Sequence, residues 1–466
     1  MTYTRGGAII ALAATVFSGC TNTRLPDQSQ NADAPDQSTW INAPSSNASV
    51  DGAWIQSFDD ATLNDLVAEA LEKNFQLNSA DARASAAKAD AAIASSSRFP
   101  FINLSLSSGR QKSRFINLDI PGLGATTTES HNFSLGAQWE IDLWGKLALN
   151  AASARAQADI SEQEFEALKI SLSAQVTRAW FDAIEANQQL TLALDTVDAF
   201  DSQLSALEKR YQRGLISGFD LRLTRAQAAA ARAAAQNRRI QKGDSLRILE
   251  TLLGRYPQAK LETASQLPSI NAPIQAGLPA GLLSRRPDLR AEERRLAASF
   301  AQQKVAARNW LPNISLTGSS GTTSDQFSDL LDSDFDIWSV LGTAAAPLFQ
   351  SGKLKAERQR ADSLLEAQVA QYKDAVLTAF REVESALSAE PDLKALEDEI
   401  RISATENKKA EDQAWELYEK GLIDITAVLD SERRSFDSQS QLINVVNQRL
   451  QNRISLHLAL GGSATE

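Results

Sequence analysis

Methionine is nearly absent from this chain. Met1 is the only one in 466 residues, which excludes a methionine-lined metal path. The two histidines, His131 and His457, share no ligand spacing, so no metal site is expected and packing or polar roles suffice. No basic run or stripe occurs against a net charge of −11, which gives no support to nucleic-acid binding. Aromatics are 6% and mean hydropathy is −0.27. That composition suits long helices with small residues at their contacts better than one thick core. No apolar run is long enough to span a bilayer as a mature helix. No catalytic constellation is present, Gly318–Gly321 reads as a strand end and not a phosphate loop, and no cofactor is expected.

The most informative absence is local. From Lys146 to Arg213, 68 residues contain neither glycine nor proline, and Gly145 and Gly214 bound them. Apolar residues recur there at spacings of three and four (Phe165, Leu168, Leu172, Val176, then Leu190, Leu194, Val197, Leu204, Leu207, Tyr211), a helical period with a coiled-coil-like seam. At 1.5 Å rise per residue such a rod would run roughly 100 Å, so it must pack along others of similar length.

The rod occurs twice. Lys353 to Lys420 is again 68 residues between Gly352 and Gly421. Gly145-Lys146 matches Gly352-Lys353, and Tyr211-x-x-Gly214 matches Tyr418-x-x-Gly421, both at an offset of 207. Upstream, Leu77, Pro100, Leu104 and Gly109 match Leu289, Pro312, Leu316 and Gly321 at an offset of 212. Inside the rods Val176, Ala179 and Trp180 match Val376, Ala379 and Phe380 at an offset of 200. The slip of one heptad preserves the facing seam. A tandem duplication of one unit follows, and such self-similarity outranks local signals in choosing a fold.

In chain order, Arg5 precedes an apolar run, Gly6–Phe17, that suits a signal-peptide core. Thr21–Val50 reads as a flexible tether. Trp54–Phe58 leads into a short amphipathic helix through Leu63, Leu66, Val67, Ala70 and Leu71, and residues 53–99, which lack glycine and proline, are expected to be helical. The period then changes to 2. Phe101–Ser108 and Phe133–Asp142 alternate apolar with polar residues; Pro312–Ser320 repeats the first pattern and Trp338–Leu348, more weakly, the second. Each is near the length of a tilted membrane-spanning strand, and Trp139, Trp144, Trp310 and Trp338 lie within or beside them, as interfacial girdles require. A soluble hairpin in each repeat is the alternative. Gly109–His131 and Gly321–Phe335 are expected to be loops. Four strands cannot close a barrel, and lipid does not tolerate open edges, so membrane-spanning strands demand an oligomer. A second helix, Leu221 to about Lys242, should be ended by Gly243, Gly254 and Tyr256-Pro257, and a last one should run Ile425–Leu460. Pro391 predicts a kink or break, dividing the second rod into 37 and 29 residues. The segments are a signal peptide (1–19), tether (20–52), first repeat (53–260), linker (261–280) and second repeat (281–466).

Cys20 after Ser18-Gly19, the Trp54–Leu77 entry, Asp142-Leu143-Trp144-Gly145-Lys146, Arg286-Pro287-Asp288-Leu289, Pro347-Leu348-Phe349 and the paired Tyr-x-x-Gly turns together resemble the TolC-like outer-membrane efflux channels, lipoprotein branch. Departures are Phe17 in the lipobox, Ala53 where a second tryptophan is usual, and Pro391. The resemblance implies a mainly α chain with membrane β: duplicated helical hairpins forming an α-barrel, with four strands per chain contributing to a 12-stranded trimeric β-barrel. It implies a homotrimer, lipid-anchored in the outer membrane through acylated Cys20, with helices extending into the periplasm. Its expected partners are a periplasmic membrane-fusion adaptor and an RND-type inner-membrane pump. Thr21 after the cysteine favours the outer membrane. The family's gate motif falls on Tyr418, Gly421, Leu429 and Asp430, with Tyr211 and Gly214 as counterparts in the first repeat. Three Asp430 carboxylates in a narrow throat would repel one another unless protonated or cation-bound; a second family aspartate is Ala427 here. Ser217, Asp220 and Thr426 fit turn capping or adaptor contact. A non-channel periplasmic coiled-coil lipoprotein is the rival reading; it needs no alternating strands.

Overall fold

The computed structural model describes residues 40–41, 54–114, 125–270 and 279–462. Cys20, with the signal-peptide core and most of the tether, lies outside them. Among the described residues, helices α1 (Ala61–Lys73), α2 (Phe75–Ser96), α3 (Lys146–Gln212), α4 (Gly218–Leu252), α5 (Pro279–Arg285), α6 (Pro287–Arg308), α7 (Lys353–Glu419) and α8 (Ile425–Ala459) alternate with strands β1 (Phe101–Ser113), β2 (Thr126–Ile141), β3 (Asn313–Ser324) and β4 (Asp336–Ala345). The order helix, two strands, long helix, second helix occurs twice. No helix is long and apolar enough to cross a membrane among the described residues.

The chain forms two compact units, each drawing on both repeats. One contains residues 85–160 and 293–372, with the sheet. Its strands are antiparallel in the order β1-β2-β3-β4, so β2–β3 pairing joins the two repeats. The register aligns the alternation of all four strands. Ile102, Ala137, Gly318 and Val340 form one row across the sheet, and Leu104, Leu135, Ser320 and Trp338 the next. The opposite face carries Asn103, Gly136, Ser319 and Ser339 in one row, with Ser105–Ser134 and Ser319–Ser339 hydroxyl pairs at 2.9 and 2.8 Å. Because directly paired residues share a face, one face is mainly apolar and the other mainly polar, with β4 the exception, setting Ile337 and Leu341 on the polar side. The apolar side chains are exposed: Leu104 is 65% and Val340 68% accessible. At Gly321 a Cβ would lie 2.1 Å from the Phe133 carbonyl oxygen, so only glycine allows β3 to approach β2 this closely. The strands extend into the segments expected as loops: β1 reaches Ser113, β2 begins at Thr126 and β3 reaches Ser324, followed by short 3₁₀ turns, Phe327–Leu331 and Ser333–Phe335. By contrast β4 stops at Ala345, two residues before Pro347, which has no donor for a ladder.

The other unit contains residues 54–84, 161–292 and 373–462. Its core joins Trp54, Phe58 and Leu63 of the entry segment to Trp180, Phe181 and Ile184 of α3, Leu249 of α4, and Leu450 and Ile454 of α8. Asp60 ties the entry to α3: one oxygen caps α1 by accepting from Leu63 N (3.1 Å), and the other accepts from Trp180 Nε1 (2.7 Å).

Three expectations are corrected. The helical expectation over 53–99 holds in pieces: α1 is the short amphipathic helix expected there, but a 3₁₀ turn, Trp54–Phe58, precedes it and Asn74 separates it from α2. Its buried side chain accepts from Gln76 N and Leu77 N and donates to Leu252 O (2.9 Å), bonds that outweigh a continuous backbone ladder locally. The second helix does not end at Gly243; α4 runs on to Leu252 because Leu246, Leu249 and Leu253 are buried, offsetting the ~1 kcal/mol cost of an interior glycine. Finally, α7 is not divided at Pro391 but continues through it. Arg449 of α8 bridges the proline, bonding Glu390 on one side and Glu397 on the other at 3.1 Å. Asn452 donates to Ala386 O (3.0 Å) one turn earlier.

Candidate functional site

The two Tyr-x-x-Gly turns fold identically. At the end of α3, Gly214 has φ +73°, Gly214 N donates to Tyr211 O (2.8 Å) and Leu215 N to Arg210 O (3.0 Å). At the end of α7, Gly421 has φ +72°, Gly421 N donates to Tyr418 O and Leu422 N to Leu417 O, both at 2.9 Å. Both are Schellman caps, which place the glycine in the left-handed region. Each turn leads directly into a capped helix. Ser217 and Asp220 make a capping box at α4, and Asp424 caps α8 by accepting from Ala427 N (3.0 Å). Thr426 donates to Asp424, which together with the Ala427 amide holds that carboxyl below its ordinary value. Ser217, Asp220 and Thr426 thus serve the caps.

Between the turns lies a compact core: Phe200 and Leu207 of α3, Ala228 of α4, Ala414 and Tyr418 of α7, and Ile425, Val428 and Leu429 of α8. Two of the residues singled out from the sequence, Tyr418 and Leu429, meet here, both buried. The Tyr418 ring packs edge-on against Trp415 and lies under the Arg210 guanidinium, 5.3 Å from its centroid. Burial raises the tyrosine's pKa. Tyr211, by contrast, is 46% exposed, its ring beside Gly218 across the first turn. Among the described residues no cluster of three His, Cys, Asp or Glu side chains forms a metal site.

Asp430 is half-exposed and not alone. Arg433 donates to one of its oxygens at 2.9 Å and Arg434 to the other at 2.8 Å. The Arg433 hydrogen bond, then the nearby Arg434 charge, keep Asp430 ionised and below the usual carboxylate range. The self-repelling acidic ring expected from the sequence thus has two cations per chain beside it.

Sequence reasoning missed Glu432. It is buried in α8, and its Oε1 accepts from Trp415 Nε1 of α7 (2.8 Å) and from the Gln203 amide of α3. This single carboxyl connects the long helix of the first repeat to both helices of the second. Its partners lie 229 and 17 residues away, so no spacing announced it.

A family model described as outer membrane efflux protein matches residues 66–255 and again 278–462. The outer membrane protein OprJ of Pseudomonas aeruginosa is 31% identical over 93% of this chain and 91% of its own. A toluene efflux pump outer membrane protein, TtgF of Pseudomonas putida, is 28% identical over 96% and 94%. Among solved structures, the outer-membrane channel OprN superposes with a TM-score of 0.84 at 27% identity, over 92% of this chain and 98% of that one.

Proposed function

The chain belongs to the outer membrane efflux protein family, and from that premise we propose how it serves as an outer-membrane efflux channel. Three copies close a twelve-stranded barrel, and their long helices continue it as an α-barrel in the periplasm. The observation carrying this reading is the four-stranded sheet, whose apolar face is exposed and whose edge strands β1 and β4 have no outer partner among the described residues. A coiled-coil spacer has no use for such a sheet, whereas a barrel wall requires its two-faced register.

The conduit is passive and carries no chemistry of its own. A periplasmic adaptor and an RND-type pump supply substrate and energy. The signal peptide (1–19) is removed, Cys20 is acylated, and residues 20–52 tether the lipid to the duplicated halves 53–260 and 281–466, which the segment 261–280 joins. The pore is gated where α3 meets α4 and α7 meets α8, through Tyr211, Gly214, Tyr418, Gly421, Leu429 and Asp430. Tyr418 and Leu429 act from within, as the core the turns pack on, while Asp430 presents charge to the throat.

Purified full-length protein in planar bilayers tests this. Discrete conductance steps from a trimeric preparation are expected; a protein that stays monomeric in detergent, or a trimer that never conducts, overturns it.

A further inference from the structure

Two buried acceptors near the tips lack a donor. Glu432 is 6% exposed, and its Oε2 has no hydrogen-bond partner; the same holds for Gln203 Oε1. Meanwhile the Gln203 amide donates to Glu432 Oε1. An ionised carboxylate leaves both oxygens unsatisfied and a charge buried. One proton on Oε2 repairs both defects, because the acid O–H can donate to Gln203 Oε1 and close an eight-membered acid–amide ring.

Among the described residues the cations near this carboxyl are already paired with other carboxylates, and Lys408, whose charge reaches Glu432 and favours its ionised form, is one of them. The carboxyl borders a cavity of about 220 Å³ also lined by Asp195 of α3 and Lys408 and Glu411 of α7. Lys408 is held by Glu411 (2.9 Å) and Asp412 (3.3 Å). On α4, Arg225 and Arg232 are held by Glu208 and Asp201 of α3. On α8 itself, Arg433 and Arg434 are held by Asp430 and Asp437. Burial, aided by the Glu411 charge and opposed by the Trp415 and Gln203 hydrogen bonds and the Lys408 charge, raises the Glu432 pKa.

We propose that Glu432 is a proton-operated latch: protonated, it fastens α8 to α3 through Gln203 and to α7 through Trp415, and on losing its proton it lets the two helical hairpins separate. The latch rests on the tips being the moving part of the channel. The packed-state pKa lies above the ordinary carboxyl value, so the fastening is strongest below that ordinary value. It weakens as pH rises through the packed-state pKa. Acid closes the tips and alkali frees them.

Two measurements on the full-length trimer test this separately. Infrared difference spectra taken across a pH titration should contain the C=O stretch of a protonated carboxylic acid that persists above the ordinary carboxyl pKa, is lost as pH rises further and is absent in Glu432→Gln. In planar bilayers the wild type's ratio of open to closed channels should rise with pH through the transition, by up to about tenfold per pH unit for each latch that releases its proton on opening. Glu432→Gln, a neutral mimic of the acid, should stay closed with a flat pH profile, and Gln203→Leu should open more readily at every pH. Absence of a Glu432-dependent acid band overturns the proton site whatever the conductance. A band that is present alongside an unchanged pH profile in Glu432→Gln overturns the latch. Silence of every variant in the bilayer overturns the latch together with the channel reading, while the infrared band alone still decides the proton site.

Discussion

Asp430 shows how local spacing governs a residue's character. Its partners sit at i+3 and i+4 on the same helix, the positions that meet on a helix surface, so the pairing was legible in the Asp430-Ser431-Glu432-Arg433-Arg434 run. If Asp430 faces the pore, as proposed, its carboxylate there cancels part of two positive charges. Asp430→Asn should leave Arg433 paired only with Asp437 and Arg434 without this partner, adding one positive charge per copy. Under a salt gradient in planar bilayers, the reversal potential should move toward anion selectivity. An unmoved reversal potential would place Asp430 outside the conducting throat. Glu432, two residues on, was illegible for the opposite reason: its environment is made by α3 and α7, and the sequence near it reads only as a charged helix face.

At the scale of elements, α7 sets an intrinsic preference against tertiary contacts. An interior proline costs a helix about 3 kcal/mol, yet Arg449, Glu390 and Glu397, with side chains only 14%, 18% and 13% exposed, hold α7 to α8 on both sides of Pro391. Removing Arg449 leaves Glu390 without its arginine and Glu397 with Arg401 alone, a loss of roughly 1–3 kcal/mol for charge-assisted hydrogen bonds. Arg449→Met should therefore lower the melting temperature at neutral pH, and Pro391→Ala should raise it. Burial works to raise the Glu397 pKa, but hydrogen bonds from Arg401 and Arg449 prevail and leave it lowered. Its contribution is thus present above the ordinary carboxylate pKa and lost as pH falls through the depressed one. Wild type and Arg449→Met should converge in melting temperature toward acid; a constant difference across pH would show that Arg449 acts only by packing. The rods were legible because glycines bound them, and the strands because their period is 2. The break at Asn74 and the passage of α4 through Gly243 were not, since a side chain reaching Leu252 and a buried leucine face decided them.

For the molecule as a whole, duplication supplies four strands, and β2 paired with β3 uses up the inner edges. The remaining donors and acceptors of β1 and β4 lie at opposite edges of one sheet, so a single chain cannot join them. A second copy can, and repeating that contact around an axis closes the wall with no free edge. Asn103, Ser105 and Ser107 of β1 share the polar face with Ser339 of β4, which makes the contact measurable. With Ser339→Cys fixed, a second cysteine scanned through the three β1 positions should give, at one register, disulfide-linked trimers on non-reducing gels. The single variants should give none. Because β1 and β4 are separated by two intervening strands within a chain, efficient intrachain linkage would mean that the sheet closes on itself. Absence of interchain linkage at all three positions would mean that these edges do not meet in the assembly.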